Sequence, residues 1–171
     1  MIIIFEGTDC VGKTTLLNKV ATKLNYPTFK RDRTVLPDAG NAFDCYIEID
    51  LLLDFINQTN INLIVDRLWL SEIVYSEVYG REYNKKAYEL FDLTMQNQSI
   101  IICVTANGIS IKNRFAKEDM VTFDKALEIQ QKYFDYIHIL HTPLIFIDNS
   151  DNVSIDINVD KIVNIINKYN K

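Results

Sequence analysis

Ile2-Ile3-Ile4-Phe5-Glu6-Gly7-Thr8-Asp9-Cys10-Val11-Gly12-Lys13-Thr14-Thr15 opens the chain, and the fold turns on how this stretch is read. Ile2 to Phe5 is a short apolar run of the kind that forms a buried strand. Beyond the stretch, Leu17, Val20, Ala21 and Leu24 recur at helical spacing. Between them, Gly7 to Thr14 carries glycines at its first and sixth positions, then Lys13 and Thr14, which is the spacing of a phosphate-binding loop joining a strand to a helix. Glycines let such a loop turn its backbone N–H groups inward on phosphate oxygens, and the helix N-terminus adds its dipole. Lys13 supplies a mobile positive charge, and the Thr14 hydroxyl suits a magnesium ion bridging two phosphates. The loop therefore predicts a nucleotide site at the head of the chain.

Composition bounds the rest. The chain has 171 residues, 48% of them hydrophobic, enough for one core and short for two, so residues 1–171 are expected to form a single domain. The longest apolar run, 99–104, suits a strand and not a membrane span, and Met1-Ile2-Ile3 has no basic flank of a signal peptide. Cys10, Cys45 and Cys103 are odd in number and lack metal-type spacing, so a reduced cytoplasmic setting is expected. A net charge of −5 argues against a nucleic-acid polymer as partner, while leaving room for a local basic pocket.

Strand and helix patterns alternate along the chain. Strands are predicted at 27–30, 61–65, 100–105 and 144–147. Helices are predicted around Ile49, Leu52, Leu53 and Ile56, over 71–79, 85–98 and 122–138, and at the end, where Ile162, Ile165, Ile166 and Tyr169 share a face. Strands that are apolar without alternation imply a parallel sheet covered on both faces. The expected fold is a three-layer α/β P-loop NTPase fold, a five-stranded parallel sheet with helices on both faces. Right-handed crossovers then bring Asp66, at the end of the third strand, to the same sheet edge as the P-loop.

Phe5-Glu6-Gly7-Thr8-Asp9 running into Gly12-Lys13-Thr14-Thr15, followed by Asp66-Arg67, Ser71 and Tyr75, resembles thymidylate kinase. The resemblance implies ATP as phosphoryl donor, magnesium held by Thr14 and Asp66, and a deoxynucleoside monophosphate as acceptor, with dTMP the first candidate. It implies donor binding by Gly7, Asp9, Gly12, Lys13, Thr14 and Thr15. Asp9 would also take the acceptor's 3′-hydroxyl, Arg67 its phosphate, and Ser71 and Tyr75 its sugar. Catalysis would rest on Lys13, Asp66, Arg67 and a lid cation, because charge accumulates on the transferring group's oxygens. One branch of that family keeps an arginine inside the loop where this chain has Cys10, so the cation is expected from a lid around 111–122, with Arg114 the first choice and Lys117 the second. The resemblance further implies a homodimer packed through helices.

The acceptor side departs from the family. Phe43 fits either a base-stacking ring or plain packing, and no base-reading arginine follows it at the family spacing, which leaves thymine unfixed. Arg31 and Arg33 both stand where the family keeps one phosphate-binding arginine. The alternative reading is a deoxynucleoside kinase, in which Glu6 or Asp66 serves as base near a 5′-hydroxyl. A second alternative is a nucleotide-binding regulator without turnover.

Overall fold

A computed structural model of the chain describes residues 1–30, 42–115 and 121–170, with the backbone alone over 42–48. Five strands form one parallel sheet: β1 (Ile2–Glu6), β2 (Thr28–Lys30), β3 (Leu63–Asp66), β4 (Ser99–Thr105) and β5 (Leu144–Asp148), in the order β2-β3-β1-β4-β5. β1, β3 and β4 are buried along their whole length, as their continuous apolar sequences require. The register sets Phe5 beside Asp66 and Glu6 beside Cys103. The segments following β1, β3, β4 and β5 therefore emerge along a single edge.

Seven helices and one 3₁₀ turn are described. α1 (Lys13–Leu24) buries Leu16, Leu17, Val20 and Ala21, and both its ends are fixed by left-handed residues, Gly12 and Asn25. α2 (Ala42–Thr59) packs through Ile49, Leu52 and Ile56. α3 (Trp69–Val78) begins two residues before the predicted 71, because the Glu6 carboxylate on β1 accepts the Leu68 and Ser71 backbone N–H groups and so caps the helix from a distant strand. α4 (Lys85–Met95) is capped by Asn84, which accepts from Ala87 N. α5 (Gly108–Arg114), absent from the predicted elements, is started by Asn107 accepting from Ser110 N at 2.8 Å. α6 (Phe123–Asp135) follows a Thr122 cap and ends in a 3₁₀ turn at Tyr136–His138. α7 (Ile155–Tyr169) buries Ile162 and Ile166, while Tyr169 lies exposed at its end. Two ion pairs, Lys19 with Asp156 at 3.0 Å and Lys23 with Asp160, join α1 to α7. Among the described residues no helix is long and apolar enough to cross a membrane.

Candidate active site

The loop between β1 and α1 runs along the sheet's edge and lines a cavity of about 980 Å³. Gly12 has φ 77, and a Cβ there would sit 2.7 Å from Asn149 Nδ2 and 3.5 Å from Arg114 Nη1, so the position admits only glycine without adjustment. Asn149, just after β5, donates its amide to the Val11 carbonyl at 2.8 Å and braces the loop from the far side. Cys10 also has a positive φ, 63, and lines the cavity. Lys13 points into the cavity in contact with Asp66, both side chains being 7% exposed. Burial, with the Arg67 charge nearby, pushes the Lys13 ammonium down to about 7, against the pull of Glu6 and Asp9.

Arg67, just after β3, lines the cavity beside the loop. Its backbone is left-handed, φ 66, and its guanidinium donates to Tyr75 Oη at 2.8 Å and to Asp9 Oδ1 at 2.7 Å, lying 5.0 Å from the Tyr75 ring centroid. Burial opposes its charge, but Tyr75, Tyr133, Asp9 and Glu6 more than compensate and hold its pKa above the ordinary guanidinium value. Burial likewise raises the Tyr75 hydroxyl.

Thr14 and Thr15 line the cavity beside Lys13. Arg114 lines it too, although from the last turn of α5 and not from a basic loop. Its Nε and Nη2 donate to Asp151 Oδ1 at 2.9 and 2.6 Å, and Nη2 also donates to the Asn149 carbonyl at 2.7 Å. The Arg114 bonds hold the Asp151 carboxyl below its ordinary range. Arg114 Nη1 and Thr8 Oγ1 are buried with no hydrogen-bond partner among the described residues. Buried polar groups are ordinarily bonded, so these two atoms fit a site that an anionic ligand completes.

Ser71 is not in the cavity. Its hydroxyl is buried against the Glu6 carboxylate and lies 3.0 Å from Tyr133 Oη, because helical geometry turns Ser71, Val74 and Val78 to the core and leaves Glu72, Tyr75 and Tyr79 at the cavity wall. Glu6 is fully buried beneath the floor and does not line the cavity, so it is out of reach of an acceptor hydroxyl. Arg31, Arg33 and Lys117, and the side chain of Phe43, lie outside the described residues, as does most of the segment between Arg114 and Val121. Sequence reasoning missed Glu72, Tyr79, Arg81, Lys30 and Asn149. Glu72 lines the wall at 4% exposure, and the Arg81 guanidinium lies 5.8 Å from the Tyr79 ring centroid.

Among the described residues no three His, Cys, Asp or Glu side chains converge as a metal cage. Thr14 and Asp66 remain as oxygen donors, a set that suits a magnesium ion carried in on phosphates better than one enclosed by protein.

No protein-family model matches the sequence, and no curated protein matches it. Solved structures do. The chain is similar to the YorR protein of Bacillus subtilis, solved in complex with phosphorylated GDP, with a TM-score of 0.74 at 20% identity over 98% of this chain and 96% of that one. A thymidylate kinase from Candida albicans matches with a TM-score of 0.71 at 16% identity over 99% and 93% of the two chains. A deoxyadenosine kinase from M. mycoides with bound dATP matches with a TM-score of 0.64 at 17% identity over 98% and 100%. The five-stranded parallel sheet and the helices around it therefore share the fold of these solved kinase structures.

Proposed function

We propose that this protein transfers the γ-phosphoryl group of ATP, as its magnesium complex, to a deoxynucleoside monophosphate, with dTMP the first acceptor to test. The carrying observation is Arg67, held between Asp9 of the P-loop and Tyr75 in the cavity that the P-loop lines. The loop and Lys13 suit the donor phosphates, and a planar guanidinium fork suits the acceptor phosphate. An incoming monophosphate would draw Arg67 off Asp9 and leave that carboxylate to accept the 3′-hydroxyl. Tyr75 would then flank the sugar, and Arg114, whose Nη1 has no hydrogen-bond partner among the described residues, would face the charge that develops between the two phosphates. Magnesium would draw charge from the donor phosphates, with Thr14 and Asp66 as its protein oxygens.

A deoxynucleoside kinase needs a base at the 5′-hydroxyl. Glu6 is sequestered, and Asp66, though it lines the cavity, is engaged by Lys13, which favours the monophosphate reading. The test is ADP release from Mg-ATP with each deoxynucleoside and its monophosphate. Release dependent on a monophosphate and absent with the nucleosides is expected; nucleoside-dependent release would assign the rival activity, and no release with any acceptor would leave a binding protein. We also infer a single domain, a cytoplasmic setting from the odd cysteine count, and a homodimer covering the exposed Leu51 and Phe55 of α2 or Leu90 and Leu93 of α4. Light scattering of the purified protein tests the dimer.

A further inference from the structure

We propose that Glu6 is the positioning residue of Arg67: its buried carboxylate hangs the start of α3 from the last residue of β1, and so sets where the acceptor-binding guanidinium points. The proposal rests on the nucleotide-kinase reading. Oε1 accepts the Leu68 N–H at 2.9 Å and the Ser71 N–H at 3.4 Å, while Oε2 accepts the Ser71 hydroxyl and the Tyr133 hydroxyl, the latter at 3.0 Å. On the other side of the same residue, the Arg67 N–H donates to the Phe5 carbonyl at 2.9 Å. Arg67 is thus flanked at both ends by bonds to the final two residues of β1. That is the circumstance in which a non-glycine residue stays at φ 66, a conformation that persists only where its surroundings over-determine it. Tyr133 extends the anchor to α6, so one carboxylate ties β1, α3 and α6 together behind the cavity wall. Burial raises the Glu6 carboxyl above its ordinary value, while its bonds to Ser71, Leu68 and Tyr133 and the nearby Arg67 charge act the other way. None of Glu6, Ser71 and Tyr133 lines the cavity, so the carboxylate acts through Arg67 and not on the substrate.

A purely architectural Glu6 would affect donor and acceptor sites alike, whereas a positioning Glu6 acts on the acceptor. Glu6→Gln keeps the shape: its carbonyl oxygen can still serve the two backbone N–H groups, and its amide can donate to hydroxyls that rotate to accept. What it loses is the charge behind four charge-assisted bonds and opposite Arg67, so the acceptor KM is expected to rise by about tenfold while the KM for ATP stays within about twofold. Tyr133→Phe removes one bond only and should give a smaller rise with the same split; it carries the test should Glu6→Gln fail to fold. Thermal melting and calorimetric binding of dTMP accompany the kinetics. Where the wild type binds a monophosphate, variants whose donor and acceptor constants move together, or not at all, overturn the assignment to Glu6 alone. A wild type that binds no deoxynucleoside monophosphate overturns both this proposal and the function on which it rests.

Discussion

Replacing Gly12 with alanine probes the one place where the loop, the β5 end and Arg114 meet. The added Cβ would stand 2.7 Å from Asn149 Nδ2, where real contacts essentially never fall under 3.0 Å, so the amide must retreat by at least 3.0 − 2.7 = 0.3 Å. It retreats only by loosening its 2.8 Å bond to the Val11 carbonyl. The left-handed backbone costs an alanine about 1–2 kcal/mol, and weakening that bond adds about 1 kcal/mol, so Gly12→Ala should cost about 2–3 kcal/mol. In an Asn149→Ala background the obstruction is gone and only the backbone cost of about 1–2 kcal/mol remains. The double-mutant cycle should therefore show a coupling of about 1 kcal/mol, the pair costing less than the sum of the single changes. Gly80→Ala supplies the control, since Gly80 has φ 62 with nothing within 4 Å of a built Cβ and reports the backbone cost alone. Urea unfolding of the four proteins and the control measures all the terms. Additivity within about 0.3 kcal/mol, or a Gly12→Ala cost equal to that of Gly80→Ala, would refute the reasoning.

Lys13→Ala is expected to abolish phosphoryl transfer in a protein that still folds. Because burial lowers the Lys13 pKa to about 7, well under its unfolded value, the folded chain binds fewer protons than the unfolded one above pH 7, and this group's contribution makes stability rise with pH there. Donor phosphates favour the ammonium, so Mg-ATP binding at pH 8 should take up protons, less so at pH 6 and not in Lys13→Ala; calorimetry in buffers of different ionisation heat reads this, and no uptake at pH 8 would sink it. Arg114→Ala should lower kcat by about 10²-fold or more with a smaller effect on KM, as expected of a group acting on transition-state charge; an unchanged kcat would remove Arg114 from catalysis. Tyr75→Ala should collapse the preference for deoxy over ribo acceptors in kcat/KM if the ring excludes a 2′-hydroxyl, and an unchanged ratio would deny it that role.

Local signals made much of this molecule legible. A buried strand, a glycine loop and an amphipathic helix in succession specify β1, the P-loop and α1, and the strand-end pair Asp66-Arg67 follows from the parallel topology. Arg67 falls at the cavity wall because β1 and β3 pair with Phe5 beside Asp66. What escaped depends on partners distant in sequence. The resemblance sets both Ser71 and Tyr75 against the sugar, yet the Glu6 bonds hold Ser71 inward and leave Glu72, Tyr75 and Tyr79 at the cavity. Trp69 and Leu70 carry no helix-start signal, since their cap lies on β1. Asn149 has no motif at all, its role existing only where β5 ends beside Val11. The start of α5 is legible, because Asn107 three residues before Ser110 is an ordinary N-cap pattern, although the expected lid around 111–122 overlaps the helix.

The place of β1 in the sheet governs the order in which the protein can acquire its site as it is made. Synthesis delivers β1 and the P-loop before β3 and β4, so Ile2 must wait for Leu63 to fill one side and for Ser99 to fill the other. Asn149, which braces Val11, emerges later, and the α7 residues that pair with Lys19 and Lys23 later still. A strand made before both of its sheet neighbours is thus among the last to reach its working shape. Nucleotide in the surrounding solution stabilises only a form that can bind it, so it offers nothing to a growing chain and acts on the finished one. A chain cut short before residue 149 would carry the whole glycine loop and still lack its brace.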